Sequence, residues 1–337
     1  MLKLKYLFEN FELARKCMEL YECDMDSVDE MLQYFRISSN AIYPFRLKTD
    51  GRICFLRLSP VEEKKLSDVE TEICLLKWLI ERGFPAMRPV PMKDGKLFGQ
   101  INTEWGTYNV SCFEKVSGNS LEDTKGTLQI VKGYGKTLGE LHALIKEYPY
   151  SERRRNHKML LCEIEERMQV YGASEIVRRE FGDVCKELEQ LPLSASNYGI
   201  IHYDFEPDNV FYDDKEASFS VIDFDDAICC WYALDGVRAL DALDEVVEDV
   251  SMEEAIASFL EGYRSAMSFT EEQQQSMMLM RRFVRLQEYT TLLHVMSEAV
   301  ENMPDWMSNL SQKLKCKLRR LEESMNTGGD NANNHFY

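Results

Sequence analysis

The sequence predicts an α+β chain of two lobes, strand-rich toward the N-terminus and mainly helical beyond. Three observations predict it. Alternating apolar runs flank a turn at Thr49-Asp50-Gly51, the spacing changes to threes and fours after Gly118, and a crowded acidic segment interrupts the helical half.

Residues 4–36 read as amphipathic helices, giving an N-terminal helical extension over 1–36. "NAIYPFRLKTDGRICFLRLSP" then reads as two strands around a hairpin turn, because Asp-Gly supplies the positive φ that tight turns need. "SDVETEICLLKWLIERGFPAMRP" places Ile73, Leu76 and Ile80 on one helical stripe and stops at Gly83 and Pro85. "DGKLFGQINTEWGTYNVSCFEKVSG" gives further strands, closing an N-terminal lobe over 37–117. In the C-terminal lobe, 118–326, Val131, Tyr134, Leu138, Leu141 and Ile145 form a buried stripe. Ser251 to Glu254 and Thr270 to Gln273 have capping-box spacing ahead of long helices. A last helix covers 305–325, and 327–337 is expected to be a disordered tail.

Composition bounds the function. The 337 residues and 45% hydrophobic content suit a globular chain, and no apolar run is long enough for a membrane span. The start of the chain has no signal-peptide pattern, and the ten cysteines show no metal-ligand spacing, so a reduced, cytoplasmic protein is expected. A net charge of −18 disfavours nucleic acid and anionic membranes as partners. It is compatible with a cationic small molecule, although acidity also serves solubility alone. Oligomeric state is not legible.

The acidic segment is "IIHYDFEPDNVFYDDKEASFSVIDFDDA", Ile200 to Ala227, which holds a single Lys. Such crowding of like charge calls for a cation. Asn209 follows Asp204 by five residues, and "NVFYDD" and "SFSVID" alternate about a turn, so they form a hairpin expected to return Asp223 beside Asn209. A few oxygen donors suit Mg²⁺, which keeps waters and shares its shell with phosphates.

Asp204-x-x-x-x-Asn209 followed by Ile222-Asp223-Phe224 resembles the catalytic and metal-binding loops of the aminoglycoside phosphotransferase and choline kinase family, relatives of the protein kinases. "ISSNAIYPF" resembles the phosphate-covering loop, with Ser38, Ser39 and Asn40 in place of glycines. "EICLLKWLIERGFPAMRPVP" resembles the helix whose Glu, here Glu72, pairs with the nucleotide-binding Lys, and "VSCFEKVSG" the hinge. "LGELHAL" resembles the helix before the catalytic loop, and "WYALDGVRAL" supplies Asp235, which in the family braces that loop. Two positions depart from the pattern. Tyr203 stands where glycine is customary, which is expected to narrow the cleft mouth, and "ICFLRL" offers Arg57 for the usual Lys.

The resemblance implies a two-lobed protein-kinase-like fold and transfer of the γ-phosphoryl of ATP or GTP to a small-molecule hydroxyl. Aminoglycosides, amino alcohols and choline-like compounds are candidate acceptors. It makes Asp204 the base that takes up the hydroxyl proton, with Asn209 and Asp223 the Mg²⁺ ligands. Ser39, Asn40, Arg57, Glu72 and the hinge backbone at Glu114 and Val116 become the nucleotide site. The competing reading is a catalytically silent kinase fold that binds nucleotide or regulates, favoured by Arg57 and the glycine-poor loop. A protein kinase proper is disfavoured because no A-P-E element is present.

Other features carry two readings each. Asp241, Asp244, Glu245 and Glu248 are expected on one helix face, either solvated or recognising an amine. Trp231 and Tyr232 either line the acceptor site or pack. His202 is expected to brace the loop rather than act as a base, and Asp225 and Asp226 either reach metal or amine or hydrogen-bond the loop.

Overall fold

The computed structural model describes residues 1–298 and 303–326; the tail expected at 327–337 lies outside the described residues. By its internal contacts the chain divides into two units, Met1–Gly118 with Phe211–Asp225, and Asn119–Val210 with Asp226 onward.

In chain order, the first unit begins with helices α1 (Phe11–Met18) and α2 (Val28–Leu32). Strands β1 (Arg36–Ile37), β2 (Ala41–Arg46) and β3 (Ile53–Pro60) follow, then α3 (Leu66–Glu81), β4 (Phe98–Thr103) and β5 (Gly106–Glu114). The strands form one antiparallel sheet in the order β1-β2-β3-β5-β4. The predicted turn is present, with Gly51 at φ 73°. Alternation sorts the faces of this sheet. Cys54, Leu56, Leu58, Val110 and Cys112 join Tyr43, Phe45 and the α1 residues Leu13, Ala14, Cys17 and Met18 in one apolar core. The alternate positions carry Phe55 and Phe113 toward one end and polar groups toward the other, where register sets Arg57 opposite Ser111 and Ser59 opposite Asn109.

The second unit opens with β6 (Asn119–Ser120), α4 (Leu128–Ile145), α5 (His157–Tyr171), α6 (Glu175–Gln190) and β7 (Tyr198–Ile201). The chain then returns to the first unit through β8 (Val210–Asp213) and β9 (Ser218–Val221), neighbours in a small sheet joined by a turn with Ala217 at φ 48°. Val221 anchors this return: it bridges Ala86, takes the Met87 N–H and donates to the Pro85 carbonyl. From Asp226 the chain resumes the second unit with β10 (Ile228–Trp231), α7 (Tyr232–Asp241), α8 (Met252–Ala266), α9 (Glu271–Val295) and α10 (Asp305–Asn326). Strand β10 pairs antiparallel with β7.

The α4 stripe from Val131 to Ile145 is buried throughout, and both capping boxes are formed. Helices α4 and α8 touch backbone to backbone. A Cβ on Gly135 would lie 2.0 Å from the Phe259 carbonyl oxygen, and one on Gly262 would lie 1.9 Å from that of Lys132. Only glycine permits that approach, and it carries Tyr263 of α8 to His142 of α4.

One helical expectation fails. Helix α7 ends at Asp241, Asp244 and Glu245 fall in a separate 3-10 turn, and Glu248 lies beyond both, so the four acids do not share a helix face. Asp241 is instead held by Arg281.

Candidate functional site

In the first unit the polar face of the sheet carries a buried ion pair. Arg57 is 3% and Glu72 0% exposed, and the guanidinium meets the carboxylate end-on, with Nη1 donating to Oε1 at 2.9 Å and Nη2 donating to Oε2. Arg57 Nε donates to Ser111 Oγ at 3.2 Å, and the guanidinium lies 4.6 Å from the Phe113 ring centroid. Burial pulls the guanidinium pKa down, but Glu72 more than offsets it and the group stays charged. Asp223 Oδ1 lies 3.8 Å from Arg57 Nη1.

Asp223 is held at φ 62°, a strained backbone for a residue with a side chain, and its N–H faces Met87 Sδ at 3.4 Å. Lost hydration and then the charge of Asp225 push its carboxyl above the usual range, with Arg57 opposing. Asp225 behaves oppositely. Burial raises its pKa, but Lys64 and Arg57 overcome that and hold it ionised. Its carboxylate pairs with Lys64 and accepts from Asn40 Nδ2 at 2.8 Å.

The loop from Ser38 to Asn40 is tethered at Ser38, whose carbonyl accepts the Leu2 N–H at 2.7 Å. Ser39 is half-buried and Asn40 buried, and the Asn40 amide is spent at both ends, since Oδ1 accepts from Ser59 Oγ at 2.6 Å. At the hinge, Glu114 pairs with Arg52 and its N–H already donates to the Arg88 carbonyl, so that atom does not serve a ligand. Val116 is half-buried just beyond the end of β5.

In the second unit β7 delivers His202-Tyr203-Asp204. Asp235, in the first turn of α7, accepts the N–H of His202 at 2.8 Å and that of Tyr203 at 2.7 Å. His142 Nε2 reaches the same carboxylate at 3.0 Å, and its Nδ1 meets the Tyr263 hydroxyl at 2.9 Å. His202 is fully buried, its ring edge-on to that of Phe205 with centroids 5.6 Å apart. Beyond Asp204, the Tyr134 hydroxyl donates to the Phe205 carbonyl at 2.7 Å while the two rings stack.

This bracing holds Tyr203 at φ 77°. Its ring is buried, with the Arg238 guanidinium 5.6 Å from the centroid, rather than standing at the mouth of an opening. Asn209 Nδ2 donates to both the carbonyl and Oδ2 of Asp204 at 3.0 Å, which leaves the amide oxygen as the atom available to a cation. Burial, then Glu206, raises the Asp204 carboxyl to about 7, against the pull of Arg238. Arg238 also binds Glu206 at 2.9 Å and Glu288 at 3.3 Å. The sequence reading missed it, although it lies one helical turn after Asp235. Trp231 packs, 2% exposed, against His157 and Tyr198. Tyr232 is buried against His142.

The Asp223 carboxylate in the first unit and the Asn209 amide oxygen in the second are each a donor of the kind a hard divalent cation prefers. Among the described residues no group of three or more His, Cys, Asp or Glu is placed to hold a metal ion.

The model of the APH phosphotransferase enzyme family matches residues 36–272. The chain belongs to this family. Family membership makes it a kinase acting on small-molecule hydroxyls, and the aminoglycoside phosphotransferase resemblance and kinase-like fold read from the sequence both hold. The chain is 22% identical over 235 residues to the amicoumacin kinase of Bacillus subtilis (strain 168), spanning 69% of this chain and 68% of that one. It is 25% identical over 268 residues to the homoserine kinase of Phenylobacterium zucineum (strain HLK1), spanning 74% and 76%. Among solved structures, an amicoumacin kinase in complex with AMP-PNP, Ca²⁺ and Ami superposes with a TM-score of 0.77 at 18% identity, covering 96% of this chain and 95% of that one. A microcompartment-associated aminopropanol kinase gives 0.69 at 21% identity, covering 95% and 99%. No helix among the described residues is long and apolar enough to cross a membrane.

Proposed function

We propose that the protein is a Mg²⁺-dependent phosphotransferase that moves the γ-phosphoryl of ATP or GTP to the hydroxyl of a small molecule bearing a cationic amine. The observation that carries the nucleotide half is the buried Arg57–Glu72 pair with Asp223 at 3.8 Å, a fixed positive charge beside a carboxylate. That is the chemistry a metal-bound triphosphate requires. An amicoumacin kinase of the same fold is known with AMP-PNP and Ca²⁺, which supports a divalent metal.

Arg57 would face the phosphates as a fixed positive charge rather than as a fork, because its two Nη atoms already donate to Glu72 and its Nε to Ser111. Asp223 and Asn209 would hold Mg²⁺, which when bound neutralises charge on the phosphates. The Ser39 backbone would cover the phosphates, and hinge backbone at Glu114 and Val116 would face the base. Asp204 would orient the acceptor hydroxyl and accept its proton, its position set by Asp235 through the two preceding N–H groups. Positioning and charge neutralisation would supply most of the rate.

Glu206, Asp226 and Asp208 all act electrostatically on Asp204, so this part of the second unit is negative, which supports a cationic acceptor. The related amicoumacin, homoserine and aminopropanol kinases carry names of amine-bearing compounds. The catalytically silent reading loses ground because Arg57 is already paired with Glu72 and charged.

The test is transfer of label from γ-labelled ATP and GTP to a panel holding amicoumacin, spectinomycin, 1-amino-2-propanol, choline, homoserine, glycerol and glycerate. Label should reach at least one amine-bearing acceptor and only with divalent metal. Labelling confined to glycerol or glycerate would remove the cationic acceptor, and hydrolysis with no labelled acceptor would remove the reading altogether.

A further inference from the structure

Between the sheet and the segment bearing Asp223 runs a chain of polar contacts, starting at the exposed Gln100 and buried at Asn109, Asn40, Ser59 and Asp225, that the reaction as described does not use. Gln100 Nε2 donates to Asn109 Oδ1 at 2.9 Å, and Asn109 Nδ2 donates to the Lys64 carbonyl at 2.7 Å. Lys64 Nζ pairs with Asp225, Asp225 accepts from Asn40 Nδ2 at 2.8 Å, and Asn40 Oδ1 accepts from Ser59 Oγ at 2.6 Å. Ser59 and Asn109 sit opposite each other on β3 and β5, so the chain closes through the sheet. Every member lies in the first unit.

Burying a carboxylate whose side chain is 3% exposed, with a lysine at 15%, is costly unless both are well partnered. A geometric task is a physical reason to retain such a network. Asp225 stands two residues from Asp223, and Asn40 closes the phosphate-side loop, so whatever fixes Asp225 to Asn40 fixes those two segments to each other. Lys64 supplies the counter-charge to the Asp225 carboxylate while it does so.

We propose that Lys64 and Asn40 are positioning residues for nucleotide binding, which act through Asp225 to lock the Ser38–Asn40 loop to the Asp223 segment. Asp225 is then a structural acceptor and not a metal ligand. The inference rests on the phosphotransferase reading above.

The experiment measures AMP-PNP binding to the full chain by calorimetry, once with Mg²⁺ and once with EDTA, for wild type, Lys64→Met, Lys64→Arg and Asp225→Asn. Lys64→Met should weaken AMP-PNP about 10-fold, the scale of losing a supporting partner, and by the same factor in Mg²⁺ and in EDTA. Lys64→Arg keeps the charge and should stay within about threefold of wild type. In turnover, Lys64→Met should raise the nucleotide KM while kcat and the acceptor KM hold within about threefold. Asp225→Asn should keep the wild-type ratio of Mg²⁺ to EDTA affinities, which also decides the matter if Lys64→Met does not fold. Wild-type affinity in Lys64→Met would overturn the positioning role. A selective loss of the Mg²⁺-dependent part in Asp225→Asn would make Asp225 a metal ligand and overturn the proposal. If wild type itself binds no nucleotide, the phosphotransferase reading fails and this inference with it.

Discussion

Arg57 and Glu72 form an ion pair almost wholly withdrawn from water, 3% and 0% exposed, on the polar face of an otherwise apolar sheet. Breaking such a pair from one side leaves an uncompensated charge and costs about 3–5 kcal/mol. Glu72→Ala should therefore lower stability by that order in chemical denaturation. Arg57→Met with Glu72→Leu should recover most of it, because apolar replacements of both partners remove the buried charge. If the pair serves a nucleotide, the double variant should still lose nucleotide-induced stabilisation. A double variant that binds nucleotide normally would make the pair structural only.

Asp235 gathers two backbone N–H groups and His142 on one carboxylate with 0% exposure. Asp235→Ala orphans those donors, each worth about 1–3 kcal/mol when buried and unpaired. Stability should fall by more than about 2 kcal/mol, and the positive φ of Tyr203 should no longer be held. Amide exchange at His202 and Tyr203 should accelerate relative to α4. Unchanged protection there would show that the brace lies elsewhere.

The α4–α8 crossing leaves no room for a methyl group. Gly135→Ala sets a Cβ against the Phe259 carbonyl oxygen, a backbone atom that cannot swing aside. Overpacking of this kind costs about 1–3 kcal/mol. Gly182→Ala on α6, where nothing lies within 4 Å, should be neutral or stabilising. Equal melting temperatures for the two variants would contradict the close crossing.

His157 gives the second unit a pH dependence of definite sign. Burial, and then Lys158, lower its pKa from 6.5 to about 4, and its Nδ1 meets the Tyr198 hydroxyl at 2.6 Å while Trp231 covers the ring. The folded chain therefore binds this proton less readily than the unfolded chain. Its contribution is complete above pH 6.5 and is lost as pH falls from about 6.5 toward 4. The melting temperature should drop over that window in wild type, and less steeply in His157→Phe. Parallel profiles would assign the acid sensitivity to carboxylates instead.

What was legible in the sequence was local. The Asp50-Gly51 turn, the α4 stripe and the two capping boxes each lie within one turn or helix, where spacing and residue type decide geometry. The catalytic-loop motif was legible as a string, and Asp235 could be read only through resemblance. Three features were not. The return of Phe211–Asp225 to the first unit is secured by backbone contacts of Val221 with Pro85 to Met87, which leave no side-chain signature. Lys64 and Arg238 look like ordinary charged residues until the fold surrounds them with carboxylates. The acids from Asp241 to Glu248 have helical spacing, but the helix stops at Asp241, so spacing alone misplaced them.

The most direct test of the account separates its two carboxylates in one measurement, Mg²⁺-dependent nucleotide binding followed by single-turnover transfer from γ-labelled triphosphate. Asp204→Asn should bind Mg²⁺–nucleotide within about threefold of wild type yet transfer label at least ~100-fold more slowly, the scale of losing a general base. Asp223→Ala should lose the Mg²⁺-dependent part of binding itself. Wild-type transfer by Asp204→Asn, or undiminished Mg²⁺-dependent binding by Asp223→Ala, would contradict the roles given to these residues.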